Sequence, residues 1–158
     1  HWRPAALKAV NFMELWIQHL ALSMANSRHT QSMYLGVQGE KIKTRFFSSI
    51  DSPEDYLRRL IAPLQAPTTI RQLLTINPVC GYFYFEDLYD SSNPQKALQS
   101  AIKAWEGTAH NNQPGQKDKF YAQWFWKTES PVPQPDFAEL NERVWAPILK
   151  HIEGEDHE

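Results

Sequence analysis

A single cysteine in 158 residues, Cys80, leaves no partner for an internal disulfide, and with it goes the disulfide-stapled class of secreted domains. The six histidines show neither His-Glu-x-x-His spacing nor a Cys-x-x-Cys companion, so no metal site is expected and a structural zinc is disfavoured. No apolar run approaches the roughly 20 residues needed to span a bilayer, which argues against a membrane role. Nothing near the start reads as a basic-then-apolar secretory signal, which makes the cytoplasm the default compartment. No Gly-x-x-x-x-Gly-Lys-Ser/Thr loop is present to cradle a nucleotide phosphate, so ATP hydrolysis is not encoded and no cofactor is expected in this chain. A net charge of -2 argues against a general polyanion binder, because neutralising phosphates takes clustered Lys and Arg.

One further absence concerns cleavage chemistry. A metal-dependent nuclease commonly sets an acidic residue two positions before a Lys on one strand, so that a carboxylate holds Mg²⁺ and the ammonium orients the attacking water. No Asp or Glu here is followed two residues later by Lys. The nearest approach, Glu40-Lys41-Ile42-Lys43, puts the alternation across the pleat out of phase and reads as a charged hairpin tip. No catalytic residue is assigned, and the chain alone is expected not to be an enzyme.

The composition that remains, 42% hydrophobic and 22% charged, is that of an ordinary globular chain of one domain's length. Aromatic residues make up 13%, with six Trp, enough to fill a core and leave some rings for a partner. Charge is uneven. Residues 1–45 carry Arg3, Lys8, Arg28, Lys41, Lys43 and Arg45 against two acids, a surplus of +4, whereas residues 136–158 carry seven acids against Arg143 and Lys150, a surplus of -5. The six basic residues are the candidate phosphate contacts, with two solvated faces as the plain alternative. Residues 151–158 read as an acidic tail.

Periodicity predicts a helix over 7–25 with Phe12, Leu15, Trp16, His19, Leu20 and Leu22 on one face. A hairpin follows, 33–37 against 42–47, with Gly39 in its turn. Ser52 and Pro53 predict a helix start, with Tyr56, Leu57, Leu60, Ile61 and Leu64 inward until Pro63 or Pro67 ends it. A short helix carries Ile70, Leu73 and Leu74 up to Asn77-Pro78. The aromatic stretch 79–85 fits a strand or a buried extended loop equally well. Ser92-Asn93-Pro94 starts a helix over 95–106, closed by Gly107. Residues 108–119 read as a polar loop, 120–126 as a short helix, and 131–135 as a stiff connector. Asp136 then caps a last helix that Pro147 is expected to kink.

Two further features bear on function. In Trp124-Phe125-Trp126-Lys127, aromatic rings beside a cation suit stacking on unpaired bases, and Trp124 and Trp126 are the candidates for base stacking or partner contact. Core packing competes with that reading, but the two Trp cannot both face inward from one element. His19 on an apolar helix face and Cys80 beside Gly81 are expected to be buried and inert.

Several segments in order resemble the C-terminal part of the gamma subunit of bacterial exodeoxyribonuclease V. They are His1-Trp2-Arg3-Pro4 with Leu7-Lys8, then Leu15-Trp16-Ile17-Gln18-His19-Leu20-Ala21-Leu22, then Ala97-Leu98 to Trp105, and Phe137-Ala138-Glu139-Leu140 to Ala146-Pro147-Ile148-Leu149. The similarity departs at 77–85, where that family usually has a Tyr, a Gly and Pro-Leu-Pro-Phe-Phe. The resemblance implies an α/β, degenerate restriction-endonuclease-like (pseudo-nuclease) fold, helix-rich with a small sheet or hairpin. Residues 1–150 would be a partial C-terminal domain, and His1 to Pro4 would end the core strand before its first long helix. It also implies a non-catalytic role in DNA repair and recombination within a bacterial, cytoplasmic helicase-nuclease complex. The partners would be the beta and alpha subunits, double-stranded DNA ends and unwound strands, with Mg and ATP used by the other subunits. A pure protein–protein interaction module without DNA contact is the alternative.

Overall fold

The structure, a computed structural model, describes residues 8–26, 31–38, 41–65, 70–108, 113–132 and 134–157. It is mixed α/β and helix-rich with a small antiparallel sheet. The chain divides into two compact units, residues 1–66 with 147–158, and residues 67–146, where the composition had suggested one. Return of the C-terminal segment to the first unit produces this division, and no local signal announces such a return.

In the first unit, α1 (Ala9–Ala25) opens where Asn11 Oδ1 accepts the Lys8 backbone N–H at 3.0 Å, satisfying one exposed donor of the first turn. Phe12, Leu15, Trp16, His19 and Leu20 are buried as the spacing requires, whereas Leu22 is half exposed. The hairpin forms as expected: β1 (Gln31–Gln38) pairs antiparallel with β2 (Lys41–Ser48), with Gln38 opposite Lys41. The acidic segment is not a tail: β5 (Ile152–His157) pairs antiparallel with β2, giving the order β1-β2-β5. Strand β2 is therefore the centre of the sheet.

Phe47 is fully buried against Trp16, ring centroids 4.9 Å apart, and burying such a ring contributes about 1.5–3 kcal/mol. The Trp16 ring also lies nearly parallel to His151 at 5.7 Å and edge-on to Tyr56 at 5.5 Å, so α1, β2, α2 (Pro53–Gln65) and the chain at His151 meet in one aromatic cluster. Helix α2 starts at the expected residue, but Ser52 takes the left-handed conformation (φ 54°). The helix runs through Pro63, which is buried, while Ile61 and Leu64 are exposed rather than inward.

The second unit holds α3 (Ile70–Thr75), α4 (Pro78–Ser91), α5 (Pro94–Glu106), a short ladder of β3 (Gly107–Thr108) with β4 (Gln113–Pro114), a 3₁₀ turn at Gln116–Asp118, α6 (Phe120–Phe125) and the first part of α7 (Phe137–His151). Residues 79–85 are helical, neither strand nor extended loop. Asn77 Oδ1 accepts the N–H groups of Val79 and Cys80 at 3.1 and 3.0 Å, and Pro78 supplies a fixed φ at the first helical position. Helix α5 repeats the device with Asn93 and Pro94, and Gly107 (φ 81°) ends it. The core of this unit is Cys80, Ala101, Trp105, Ala122, Trp126, Val132 and Phe137. Helix α7 is continuous through Pro147.

Candidate functional site

Each predicted contact residue has a definite place or falls outside the description. Arg3 and Arg28 lie outside the described residues, as does the proposed strand end at residues 1–4. Lys8 is exposed just before α1. Lys41, Lys43 and Arg45 alternate along β2 and so share one face of the sheet with buried Phe47. Exposure falls along that face from Lys41 through half-buried Lys43 and Arg45 to Phe47.

The acidic strand beside them changes their electrostatics. The register sets Lys43 opposite Asp156, Thr44 opposite Glu155 and Arg45 opposite Gly154, and Ser48 Oγ donates to Glu153 Oε1 at 2.9 Å. Arg45 Nη1 donates to the Thr44 carbonyl at 2.9 Å, and its side chain crosses Gly154 so closely that a Cβ there would lie 2.6 Å from Arg45 Cδ. The two charged ends of the sequence are thus on adjacent, hydrogen-bonded strands. The basic residues of β2, part of the +4 surplus of residues 1–45, lie beside a strand of opposite charge by sequence.

Trp124 and Trp126 separate as the helix dictates. Ala122 and Trp126, four residues apart, face inward at 1% and 2% exposure, and Trp126 meets the Trp105 ring edge-on at 6.5 Å. Trp126 is a core residue, which corrects its candidacy for partner or base contact. Phe120 and Trp124, also four apart, face outward at 83% and 74% exposure. Tyr121 stands between them, half exposed, its hydroxyl accepting a hydrogen bond from Asn77 Nδ2 at 3.2 Å. Burial pushes the Tyr121 phenol above its usual range, with the Asn77 bond opposing.

The approach to α6 is held locally. The Gly115 N–H donates to Asp118 Oδ2 at 2.9 Å, and Lys117 pairs with Glu106. A Cβ at Gly115 would sit 2.2 Å from the Trp105 carbonyl oxygen, so only glycine permits this close passage beside the end of α5. The 3₁₀ turn is thereby fixed, and α6 begins from a defined position.

The other chemistry is quiet. His19 is fully buried with Nδ1 2.9 Å from Ser32 Oγ, and Cys80 is fully buried with its thiol pushed up to about 12 by burial. A cleft of about 380 Å³ in the second unit is lined by Val79, Phe83, Ser100, Lys103, Ala104 and Gln116, among others, Lys103 being the charged one among the described residues. Among the described residues no group of three or more His, Cys, Asp and Glu is placed to hold a metal ion. Among them, too, no helix is long and apolar enough to cross a membrane.

The protein is therefore of a mixed α/β, helix-rich class with a small antiparallel sheet. No family model matches the chain. It is similar to the RecC subunit of the RecBCD enzyme of Escherichia coli (strain K12), 24% identical over 159 residues, covering 94% of this chain and 14% of RecC. The chain thus spans about one-seventh of the length of that relative.

Proposed function

We propose that this chain is a non-catalytic module of a RecC-like gamma subunit, contributing DNA handling and subunit docking to an ATP-dependent exodeoxyribonuclease V. The single observation that carries the reading is a similarity running through 94% of the chain, not confined to one motif. Its fold would be a degenerate restriction-endonuclease-like one, in keeping with the missing Asp/Glu-x-Lys spacing. The beta and alpha subunits would supply the motors and the nuclease, with their Mg and ATP. Double-stranded ends and unwound strands would be its nucleic-acid partners, in a bacterial cytoplasm. Co-expression with the beta and alpha subunits should give a complex that co-elutes, and the pure chain with Mg²⁺ should leave linear DNA intact. Mg²⁺-dependent cleavage by the pure chain, abolished by one carboxylate substitution, would refute it.

A second reading, a protein-interaction module with no DNA contact, draws support from the sheet. Met33, Val37 and Ile42 lie on the face of β1 and β2 opposite Phe47 and are 53%, 37% and 46% exposed. Apolar side chains so grouped suit a protein partner. Titration with forked DNA at two salt concentrations separates the readings: this one requires partner binding with no DNA binding at either.

A further inference from the structure

We propose that the outward face of α6 is a stacking platform for single-stranded DNA. The proposal rests on the DNA-handling reading above and names the surface and the ligand class within it. Phe120 and Trp124 project from successive turns of one helix, neither ring touching another ring among the described residues, and each exposes most of its surface. Large aromatics left in water on an ordered helix contribute little to folding, and grouped on one face they make the kind of apolar patch that contact sites present. Tyr121 extends the surface at its inner margin, fixed by Asn77, which is itself buried at the cap of α4. The platform is therefore built before any ligand arrives, which lowers the ordering cost of binding.

Charge decides which ligand. Segment 116–129 carries Lys117, Lys119 and Lys127 against Asp118 and Glu129, a local surplus of +1 in a chain whose net charge is -2. Lys117 is neutralised by Glu106 and the Asp118 carboxylate is engaged by the Gly115 N–H. Lys119 and Lys127, both exposed and without an ion pair among the described residues, flank α6 in the sequence. Protein interfaces are depleted in Lys, whereas grooves for single strands combine cations that follow the phosphates with rings that stack on bases. Unlike the β2 cations, these have no acidic strand hydrogen-bonded beside them.

The test uses the full 158-residue chain and a labelled oligo(dT) about ten nucleotides long, read by anisotropy over a salt series. Trp124→Ala should weaken binding roughly 5- to 150-fold, since one base–ring stack is lost. Phe120→Leu should also weaken it, because it keeps apolar bulk but removes the π face. Lys119→Gln with Lys127→Gln should flatten the slope of log affinity against log salt by about 1.4. Oligo(dT) binding indifferent to Trp124→Ala, with forked DNA still bound, would overturn the platform and leave the DNA-handling reading standing. Failure of the unsubstituted chain to bind either DNA would overturn both. Loss of co-elution with the beta and alpha subunits in Trp124→Ala, with oligo(dT) binding unchanged, would assign the face to a protein partner instead.

Discussion

Replacing Gly81 by alanine should destabilise the second unit, against the usual effect of such a change. In an unobstructed helix, Gly→Ala stabilises by about 0.5–1 kcal/mol because the unfolded chain loses freedom. Gly81, however, is buried in α4, and a Cβ there would lie 2.3 Å from Asn141 Oδ1 and 2.6 Å from Trp145 Nε1, both on fully buried side chains. The Asn141 amide cannot simply swing aside, since its Nδ2 donates to the carbonyls of Thr75 at 3.0 Å and Phe137 at 2.8 Å. Trp145 is likewise held, its ring edge-on to Tyr82 at 5.4 Å. Overpacking of this kind costs about 1–3 kcal/mol, and each strained hydrogen bond adds about 0.5–1.5 kcal/mol. After the propensity gain, the net loss should be about 1–5 kcal/mol. Urea titration followed by Trp fluorescence and far-UV circular dichroism reads it as a lower midpoint at unchanged slope. Asn141→Ser, which shortens the obstructing side chain, should offset part of the loss in the double variant. A Gly81→Ala protein more stable than the parent would refute the close packing of α4 against α7.

Three other outcomes follow from single contacts. Because burial raises the Cys80 thiol to about 12, iodoacetamide should leave it unmodified in the folded chain and label it only on unfolding; prompt labelling under native conditions would contradict its place in the core. Asn77→Ala removes the acceptor for two N–H groups at the start of α4 and should lower stability by about 1–2 kcal/mol, more than Asn77→Asp, which keeps the acceptor; equal losses in denaturant midpoint would refute the capping role. His151 is held below its ordinary value, first by burial and then by Lys150, so the folded state binds fewer protons than the unfolded state. Its contribution should be complete above about pH 6.5 and diminish as pH falls below that value, a decline that His151→Gln should reduce; identical pH profiles for parent and variant would refute it.

Local signals made the hairpin, α1, α5 and α7 legible, since each carries its period and its ends within one short window. Helix α4 was hidden for a physical reason. Its aromatic run, Tyr82 to Phe85, has the residue preferences of a strand, and Asn77-Pro78 marks either the end of one helix or the cap and first residue of the next. Only the hydrogen bonds from Val79 and Cys80 to Asn77 decide between them. Strand β5 has no readable pattern, because Ile-Glu-Gly-Glu-Asp-His offers one apolar residue and becomes a strand only through pairing with β2. The division into two units rests on that same pairing. At the candidate site, the sequence required Trp124 and Trp126 to part company; the packing of Ala122 and Trp126 decides which one faces water.

That pairing also moves the weight of any nucleic-acid argument. By composition, the basic surplus of residues 1–45 was the better ground for phosphate contact, and Lys41, Lys43 and Arg45 formed its densest part. Hydrogen-bonding β5 to β2 puts an acidic strand about 4.8 Å from the strand of those cations, with Asp156 opposite Lys43 in register and Glu155 and Glu153 opposite Thr44 and Phe46. A phosphate approaching β2 meets both signs. Around α6 the total charge is smaller, and two of the acids near it, Glu106 and Asp118, are engaged by Lys117 and by the Gly115 N–H. Local compensation therefore counts beside the number of basic residues, and on the proposed DNA-handling reading a single strand would lie along the rings of Phe120 and Trp124 before it lies along β2.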